Sequence, residues 1–123
     1  MEDVYELFSR GSELLAGGHY HQAAVPLRRA RDLSPRSTSI REALGRALFY
    51  MQEYSEAALE FESVVTHAPT NDYALFCWGR CLQLLGRHAE ARKPLTLAAF
   101  MQPQRADYRA YRDQAKAAAD RQP

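Results

Sequence analysis

Two cysteines and two histidines are the residues in this sequence whose types and spacing best suit chemistry. Cys77 and Cys81 lie four positions apart, so on a helix their thiols share one face. A tetrahedral metal site needs four ligands, and no second cysteine pair or nearby histidine completes this one. His19 and His21 fall in a predicted turn, where exposure to solvent is the expected setting. We therefore predict no metal site and no cofactor.

Catalysis by a nucleophile or an acid–base pair has equally little support. An enzyme needs such groups held together in a pocket, whereas the serines here cluster at predicted helix starts. Ser39 followed by Glu42 fits a capping box, which stabilises a helix end and performs no chemistry. No glycine-rich phosphate loop follows a strand, because the pattern predicts no strand. We predict that the protein is not an enzyme.

Composition and charge narrow the function further. The 123 residues, 46% apolar and 25% charged, have the composition of one ordinary domain, and the formal net charge of +1 is too small to draw it onto nucleic acid or anionic lipid. The arginines at Arg28, Arg29 and Arg31 are expected on a solvated outer helix face. No apolar run approaches the roughly 20 residues that cross a bilayer, and the acidic start lacks the positive charge of a signal peptide. We expect a cytoplasmic protein that binds neither nucleic acid nor membrane.

An internal repeat organises the chain. Pro35, Pro69 and Pro103 are evenly spaced, and the interval between them defines the repeat period. Six further sets recur at the same interval: Gly11, Gly45 and Gly79; Leu14, Leu48 and Leu82; Ala23, Ala57 and Ala91; Leu27, Phe61 and Leu95; Ala30, Val64 and Ala98; Tyr20, Tyr54 and His88. In each copy the apolar spacing predicts two amphipathic helices, with the proline closing the second. The glycine lets the two helices approach closely, and the large residue of the fourth set fills the remaining space.

This pattern resembles the tetratricopeptide repeat, a 34-residue helix–turn–helix unit whose length equals the repeat period. The resemblance covers residues 4–37, 38–71 and 72–105 without an insertion, and residues 106–120 have the pattern of an amphipathic helix that caps the last repeat. It implies one all-α domain over residues 1–123, a right-handed superhelix of seven antiparallel helices. The alanine- and arginine-rich composition resembles that of small stand-alone bacterial repeat proteins.

Proline occurs inside two of the predicted helices. Pro26 and Pro94 lie about two turns into the second helices of the first and third copies. A proline there removes one backbone hydrogen bond, so we predict kinks, with the carbonyls of Gln22 and Glu90 lacking their usual donor. We expect both prolines to face solvent on the convex side; the alternative is that the kinks change the curvature of the groove.

The middle copy differs from its neighbours at two positions. Arg41 replaces the large apolar residue found at Leu7 and Leu75. Gln52 replaces the glycine between helices found at Gly18 and Gly86.

The resemblance places binding on the concave surface, which is lined by the first helix of each repeat. The register predicts these groove residues: Tyr5, Phe8, Ser12, Glu42, Arg46, Phe49, Tyr50, Tyr73, Phe76, Cys77 and Arg80. Arg46 and Arg80 are equivalent, so we expect them to be neighbours along the groove. Aromatic rings with arginines are typical of binding hot spots. Each ring taken singly could instead pack between adjacent repeats.

One class of partner can be tested on the sequence. Tetratricopeptide co-chaperones grip the acidic tails of heat-shock chaperones with a carboxylate clamp of Lys, Asn, Asn, Lys and Arg. The clamp positions correspond here to Phe8, Ser12, Ala43, Tyr73 and Cys77. We therefore do not expect heat-shock tail binding. The groove is more similar to the aromatic-lined grooves of tetratricopeptide chaperones that hold extended segments of secreted proteins.

The leading hypothesis is a non-enzymatic adaptor that binds a short peptide segment of a partner protein in the groove. Apolar anchors would enter between the rings, while Arg46 and Arg80 would pair with an acidic side chain or a C-terminal carboxylate. The alternatives are a scaffold that self-assembles through its terminal helices, for example as a homodimer, and a chaperone-like holder of a secreted or assembling partner.

Overall fold

The computed structural model describes residues 2–122, which form seven α-helices and no strand. The helices are α1 (Val4–Ala16), α2 (Tyr20–Leu33), α3 (Thr38–Tyr50), α4 (Tyr54–His67), α5 (Asp72–Leu84), α6 (His88–Met101) and α7 (Ala106–Arg121). Each helix packs mainly against the helices before and after it in the chain. The predicted all-α solenoid is confirmed, and none of these seven helices has the length and apolar character that a membrane crossing requires.

The helix starts repeat with the period of the sequence. The starts of α1, α3, α5 and α7 follow one another at intervals of one period, and so do those of α2, α4 and α6. The residues before α1, α3 and α5 are also equivalent: the side chains of Asp3, Ser37 and Asn71 each accept a hydrogen bond from a backbone N–H in the first turn. The boundaries of the repeats stay a prediction.

The predicted capping box at Ser39 is wrong. Ser37 is the residue that caps α3, because its backbone is extended and its hydroxyl accepts from the Ile40 N–H at 3.3 Å. Ser39 already lies inside the helix, where its backbone conformation excludes that role.

Glycine sets the distance between the two helices of each repeat, as predicted. A Cβ atom added at Gly11 or Gly79 would lie 2.5 Å from the Cγ atom of Leu27 or Leu95. At Gly45 it would lie 2.9 Å from Cζ of Phe61. These distances are too short for real carbon contacts, so each glycine leaves the space that the opposing side chain fills.

The prediction that Pro26 and Pro94 face solvent is wrong, because both are buried. Pro26 comes three residues after Ala23 and directly before Leu27, so it belongs to the buried stripe of α2. The helices α2 and α6 continue past their prolines without interruption, and the predicted kinks stay a prediction.

Glu60 in α4 takes the place that proline occupies in α2 and α6, and it explains Arg41. The Glu60 carboxylate is buried and accepts hydrogen bonds from two guanidinium groups: Arg41 of α3 at 2.8 Å and Arg31 of α2 at 2.6 Å. The middle repeat therefore replaces apolar residues at two positions with an ion pair, and Arg31 extends that pair to the preceding repeat.

The last helix, α7, is attached to α5 by Tyr108. The buried Tyr108 ring stacks on Phe76 at 4.5 Å between ring centroids, and its hydroxyl donates to the Asp72 carboxylate at 2.9 Å. The Gln83 side-chain amide of α5 donates to the Tyr111 carbonyl of α7 at 3.0 Å. These contacts position α7 beside the residues that the sequence assigns to the groove.

Candidate functional site

Ten of the eleven predicted groove residues line two adjoining hollows, formed mainly by α1, α3, α5 and α7. The polar hollow, of about 260 Å³, is lined by Phe8, Ser12, Leu15, Ala16, Ser39, Glu42, Ala43 and Arg46. The aromatic hollow, of about 330 Å³, is lined by Arg46, Phe49, Tyr50, Phe61, Tyr73, Phe76, Cys77, Arg80, Arg105, Asp107 and Tyr111. We call the two hollows together the groove. Tyr5, the eleventh residue, lines neither hollow and is 73% exposed.

Arg46 lies where the two hollows meet, since among the described residues it is the one side chain that lines both. It forms no ion pair with any described residue, and its buried Nε atom has no hydrogen-bond partner among residues 2–122. Tyr73 lies close enough for its ionisation to respond to the Arg46 charge, and burial is the main cause that raises the pKa of Tyr73. The Tyr73 hydroxyl therefore stays protonated at neutral pH and can donate a hydrogen bond beside Arg46.

Arg80 lines the aromatic hollow together with Arg46, but its guanidinium is already engaged by other residues. It lies over the Tyr111 ring at 3.9 Å from the centroid and donates to Oε1 of Gln83 at 3.0 Å. The two arginines occupy equivalent positions in their repeats and differ in availability, because α7 places the Tyr111 ring beside Arg80, whereas α5 places Cys77 at the equivalent position beside Arg46.

The aromatic residues of the groove divide in the same way. Phe76 contacts Tyr108 at 4.5 Å and Tyr111 at 5.7 Å, so it packs α5 against α7. Tyr50 stacks on Tyr20 at 4.6 Å and remains 52% exposed. Tyr73 is 36% exposed and takes part in no ring pair among the described residues. Tyr50 and Tyr73 therefore keep exposed surface in the groove, whereas Phe76 is engaged in packing α5 against α7.

Four residues of the aromatic hollow were not among the predicted groove residues: Phe61 of α4, and Arg105, Asp107 and Tyr111 in or next to α7. Arg105 and Asp107 form an ion pair at 2.7 Å, so together they add little net charge. Tyr111 follows Cys77 by one repeat period, so extending the period by one more step would have predicted its place in the groove.

The thiols in and below the groove are unreactive in character. Cys77 lines the aromatic hollow, whereas Cys81 is fully buried. Burial raises the pKa of both thiols to about 12, so both are protonated at neutral pH. Within residues 2–122, no group of three or more His, Cys, Asp or Glu side chains is placed to hold a metal ion.

A family model described as tetratricopeptide repeat matches residues 8–72 and 42–106, which together span most of the chain. The chain therefore belongs to the tetratricopeptide repeat family. The family is generally a non-enzymatic protein-interaction fold.

Solved structures show the same fold at low sequence identity. The first tetratricopeptide domain of Spaghetti (RPAP3), bound to the HSP90 peptide SRMEEVD, has a TM-score of 0.87 and 16% identity over 95% of this chain and 93% of that chain. MamA AMB-1 has a TM-score of 0.89 and 22% identity over 97% of this chain and 65% of that chain. The CopN–Scc3 complex contributes a chain with a TM-score of 0.76 and 18% identity over 93% of this chain and 67% of that one. The present chain thus spans about two thirds of the last two. The search of curated proteins found no match.

Proposed function

We propose that the protein is a non-enzymatic adaptor that binds a short, extended segment of a partner protein in the groove. The observation that carries this proposal is that Arg46 has no ion pair among the described residues. A guanidinium without an ion pair, at the junction of two hollows and beside exposed rings, is a ready partner for a carboxylate. Tyr50 and Tyr73 supply the aromatic surface on which an apolar side chain of the same segment packs.

The two arginines have different roles in this proposal. Arg46 binds an acidic side chain or a C-terminal carboxylate. Arg80 is held by Tyr111 and Gln83, so it adds positive potential and shapes the aromatic hollow without being free to pair. Phe8, on the far side of Arg46, extends the apolar contact into the polar hollow.

The groove chemistry does not support heat-shock tail binding of the kind in the Spaghetti (RPAP3) structure. The clamp positions carry Phe8, Ser12, Ala43, Tyr73 and Cys77, and none of these is a cation or an amide. The structural likeness, at 16% identity, concerns the fold. We therefore propose a segment with one anchoring carboxylate and an aromatic or aliphatic side chain beside it.

Nucleic acid is a poor candidate ligand, because the arginine cluster of α2 is neutralised. Arg28, Arg29 and Arg31 form ion pairs with Glu56 at 3.1 Å, Glu2 at 2.9 Å and Glu60 at 2.6 Å, respectively. The expectation of a solvated outer helix face was wrong for Arg31, whose side chain is only 24% exposed because it reaches the buried Glu60. Cations that already have carboxylate partners release little energy on meeting phosphates.

Self-assembly and chaperone-like holding remain the second and third candidates. Phe100 of α6, which is 81% exposed, favours contact with another copy. The neighbouring face of α6 and α7 carries Arg92, Lys93 and Lys116, so two copies that met there face to face would repel each other. Light scattering over a range of concentrations measures the molecular mass and so tests self-assembly. A constant monomer mass leaves peptide binding as the proposal. A dimer that Phe100→Ser dissociates would replace peptide binding with self-assembly.

The test of the adaptor proposal is selection followed by substitution. A peptide library with free C-termini is selected on the wild-type protein, and the affinity of the best peptide is measured by titration calorimetry. Arg46→Ala is expected to weaken binding by about 2 kcal/mol, roughly 30-fold. Arg80→Ala is expected to act less strongly, through loss of its contact with Tyr111.

Arg36→Ala is the matched control, because Arg36 is an exposed arginine outside the two hollows. It is expected to leave the affinity within about twofold. Equal affinities for wild type, Arg46→Ala and Arg80→Ala would remove the charged half of the proposal. Selected peptides without any acidic group or apolar side chain would remove the whole.

A further inference from the structure

A separate cationic hollow lies between α6 and α7, away from the groove. It has a volume of about 470 Å³ and is lined by Ala89, Arg92, Lys93, Thr96, Leu97 and Lys116. No carboxylate of residues 2–122 lines it. None of its three cations forms an ion pair with a described residue. We call this surface the α6–α7 hollow.

The repeat shows what covers the equivalent surface one unit earlier. Five positions of the α6–α7 hollow have equivalents one period earlier in the chain. For Ala89, Arg92, Lys93, Thr96 and Lys116 these are Ser55, Ala58, Leu59, Glu62 and Leu82, respectively. Those five also line a hollow together, and its remaining wall includes Arg87 and Glu90 at the start of α6. The natural cover of this surface in the fold is therefore the first turn of another helix.

Helices that stack in this way carry an acidic residue in the first turn. Glu56, in the first turn of α4, pairs with Arg28 of α2 at 3.1 Å. Glu90, in the first turn of α6, occupies the equivalent position in the next repeat. A carboxylate there also interacts favourably with the N-terminal end of its own helix dipole.

The α6–α7 hollow is the repeat-equivalent surface with an altered charge. Arg92, Lys93 and Lys116 stand where the preceding repeat has Ala58, Leu59 and Leu82. Ala89 and Leu97 keep part of the surface apolar. We propose that this hollow docks the N-terminal turns of an acidic amphipathic helix from a partner protein, with carboxylates on the three cations and an apolar side chain on Leu97.

A second copy of this chain is a weaker fit than such a partner. The helix α2, which lies at the opposite end of the stack, has no acidic residue in its first turn. The helices α4 and α6, which have one, already pack inside the stack. The helix α1 also has an acidic residue, Glu6, in its first turn. A second copy that docks through α1 is therefore the competing occupant, and the test measures the association of copies.

The test uses two synthetic, alanine-based helical peptides of about 20 residues, a length at which such helices are partly stable. One carries three glutamates in its first two turns and leucines on one face; the other has glutamine in place of each glutamate. Fluorescence anisotropy of the labelled peptides with the full chain gives the affinities. The glutamate peptide is expected to bind at least about tenfold more tightly than the glutamine peptide, with the difference shrinking as salt rises.

The variant Arg92→Gln/Lys93→Gln/Lys116→Gln is expected to abolish that preference. A charge-matched control, Arg10→Gln/Arg29→Gln/Arg36→Gln, removes three exposed arginines of the first repeat and is expected to retain it. Arg46→Gln is also expected to retain it, which separates this surface from the groove. Equal binding of the two peptides, an unaffected hollow variant, or a concentration-dependent dimer that the hollow variant dissociates would each overturn the proposal.

Discussion

The stability of the middle repeat depends on one buried carboxylate, Glu60, which joins three helices. It is 4% exposed and accepts hydrogen bonds from Arg31 of α2 at 2.6 Å and Arg41 of α3 at 2.8 Å. Glu60→Gln keeps the shape of the side chain and removes its charge. We predict that this substitution destabilises the protein, because both guanidinium groups lose a charged partner in a poorly hydrated place.

The magnitude follows from the burial of the three side chains. A hydrogen bond to a charged group contributes about 1.5–3 kcal/mol, and breaking a fully buried ion pair costs about 3–5 kcal/mol. The arginine side chains remain 24% and 22% exposed, so each recovers part of its hydration after the substitution. We expect a loss of about 2–3 kcal/mol in the free energy of unfolding. For 123 residues, with an unfolding entropy of about 2 cal/mol/K per residue, the Tm falls by roughly 8–12 °C.

The assay is urea denaturation followed by circular dichroism, with calorimetry for the Tm. Glu62→Gln is the matched control: it makes the same chemical change on the same helix, at an exposed side chain without an ion pair among the described residues. It is expected to change the free energy of unfolding by less than about 0.5 kcal/mol. If Glu60→Gln and Glu62→Gln give equal transitions, the triad contributes nothing and the reasoning is refuted.

Three further predictions concern the turns, the helix contacts and the thiols. Gln52 has a φ of 64°, a left-handed backbone conformation that is strained for a residue with a side chain. Gln52→Gly is therefore expected to raise the free energy of unfolding by about 1 kcal/mol in urea denaturation, and a decrease in that free energy would contradict the strain. Gly79→Ala is expected to lower the Tm measurably, because the added Cβ would lie 2.5 Å from Cγ of Leu95; an unchanged Tm would show that the two helices separate without cost. Cys77 and Cys81, with pKa values raised to about 12, are expected to react much more slowly with a disulfide reagent at pH 8 than after unfolding, and equal rates would contradict their burial. The unfolded thiols ionise near pH 8.5. Their contribution to the free energy of unfolding is therefore complete below that pH and is lost as the pH rises toward 12. Cys81→Ala should make this loss smaller in denaturation curves measured above pH 9.

The repeating part of the structure could be predicted from local sequence signals. The helix starts, the glycine contacts and the placement of ten of the eleven predicted groove residues in the two hollows follow from the repeat period, because equivalent positions of successive copies lie on equivalent helix faces. The residue that caps α3 could not be identified in this way, because Ser37 and Ser39 are both serines near the predicted start of the helix. Only the backbone conformation shows that Ser37 is the cap.

The non-repeating part required the tertiary structure. The carbonyl that Pro26 leaves without a donor favours a solvent-exposed position in a sequence-based prediction, whereas the packing of neighbouring helices buries this proline. Arg80 and Arg46 are equivalent in sequence, yet α7 places Tyr111 on one of them and leaves the other free. The repeat period gives the place of Tyr111 in the groove, but the contact between its ring and the Arg80 guanidinium is set by packing between helices.

The sequence by itself determined that this protein is a stack of helix pairs with an aromatic, arginine-containing groove, because periodicity acts within each repeat and between nearest neighbours. Only the tertiary structure decided which charges meet. Glu60 joins Arg31 and Arg41, while Arg46 is left without an ion pair among the described residues. The physical reason is that an arginine side chain reaches across helices, so its partner is set by packing in three dimensions and not by spacing along the chain.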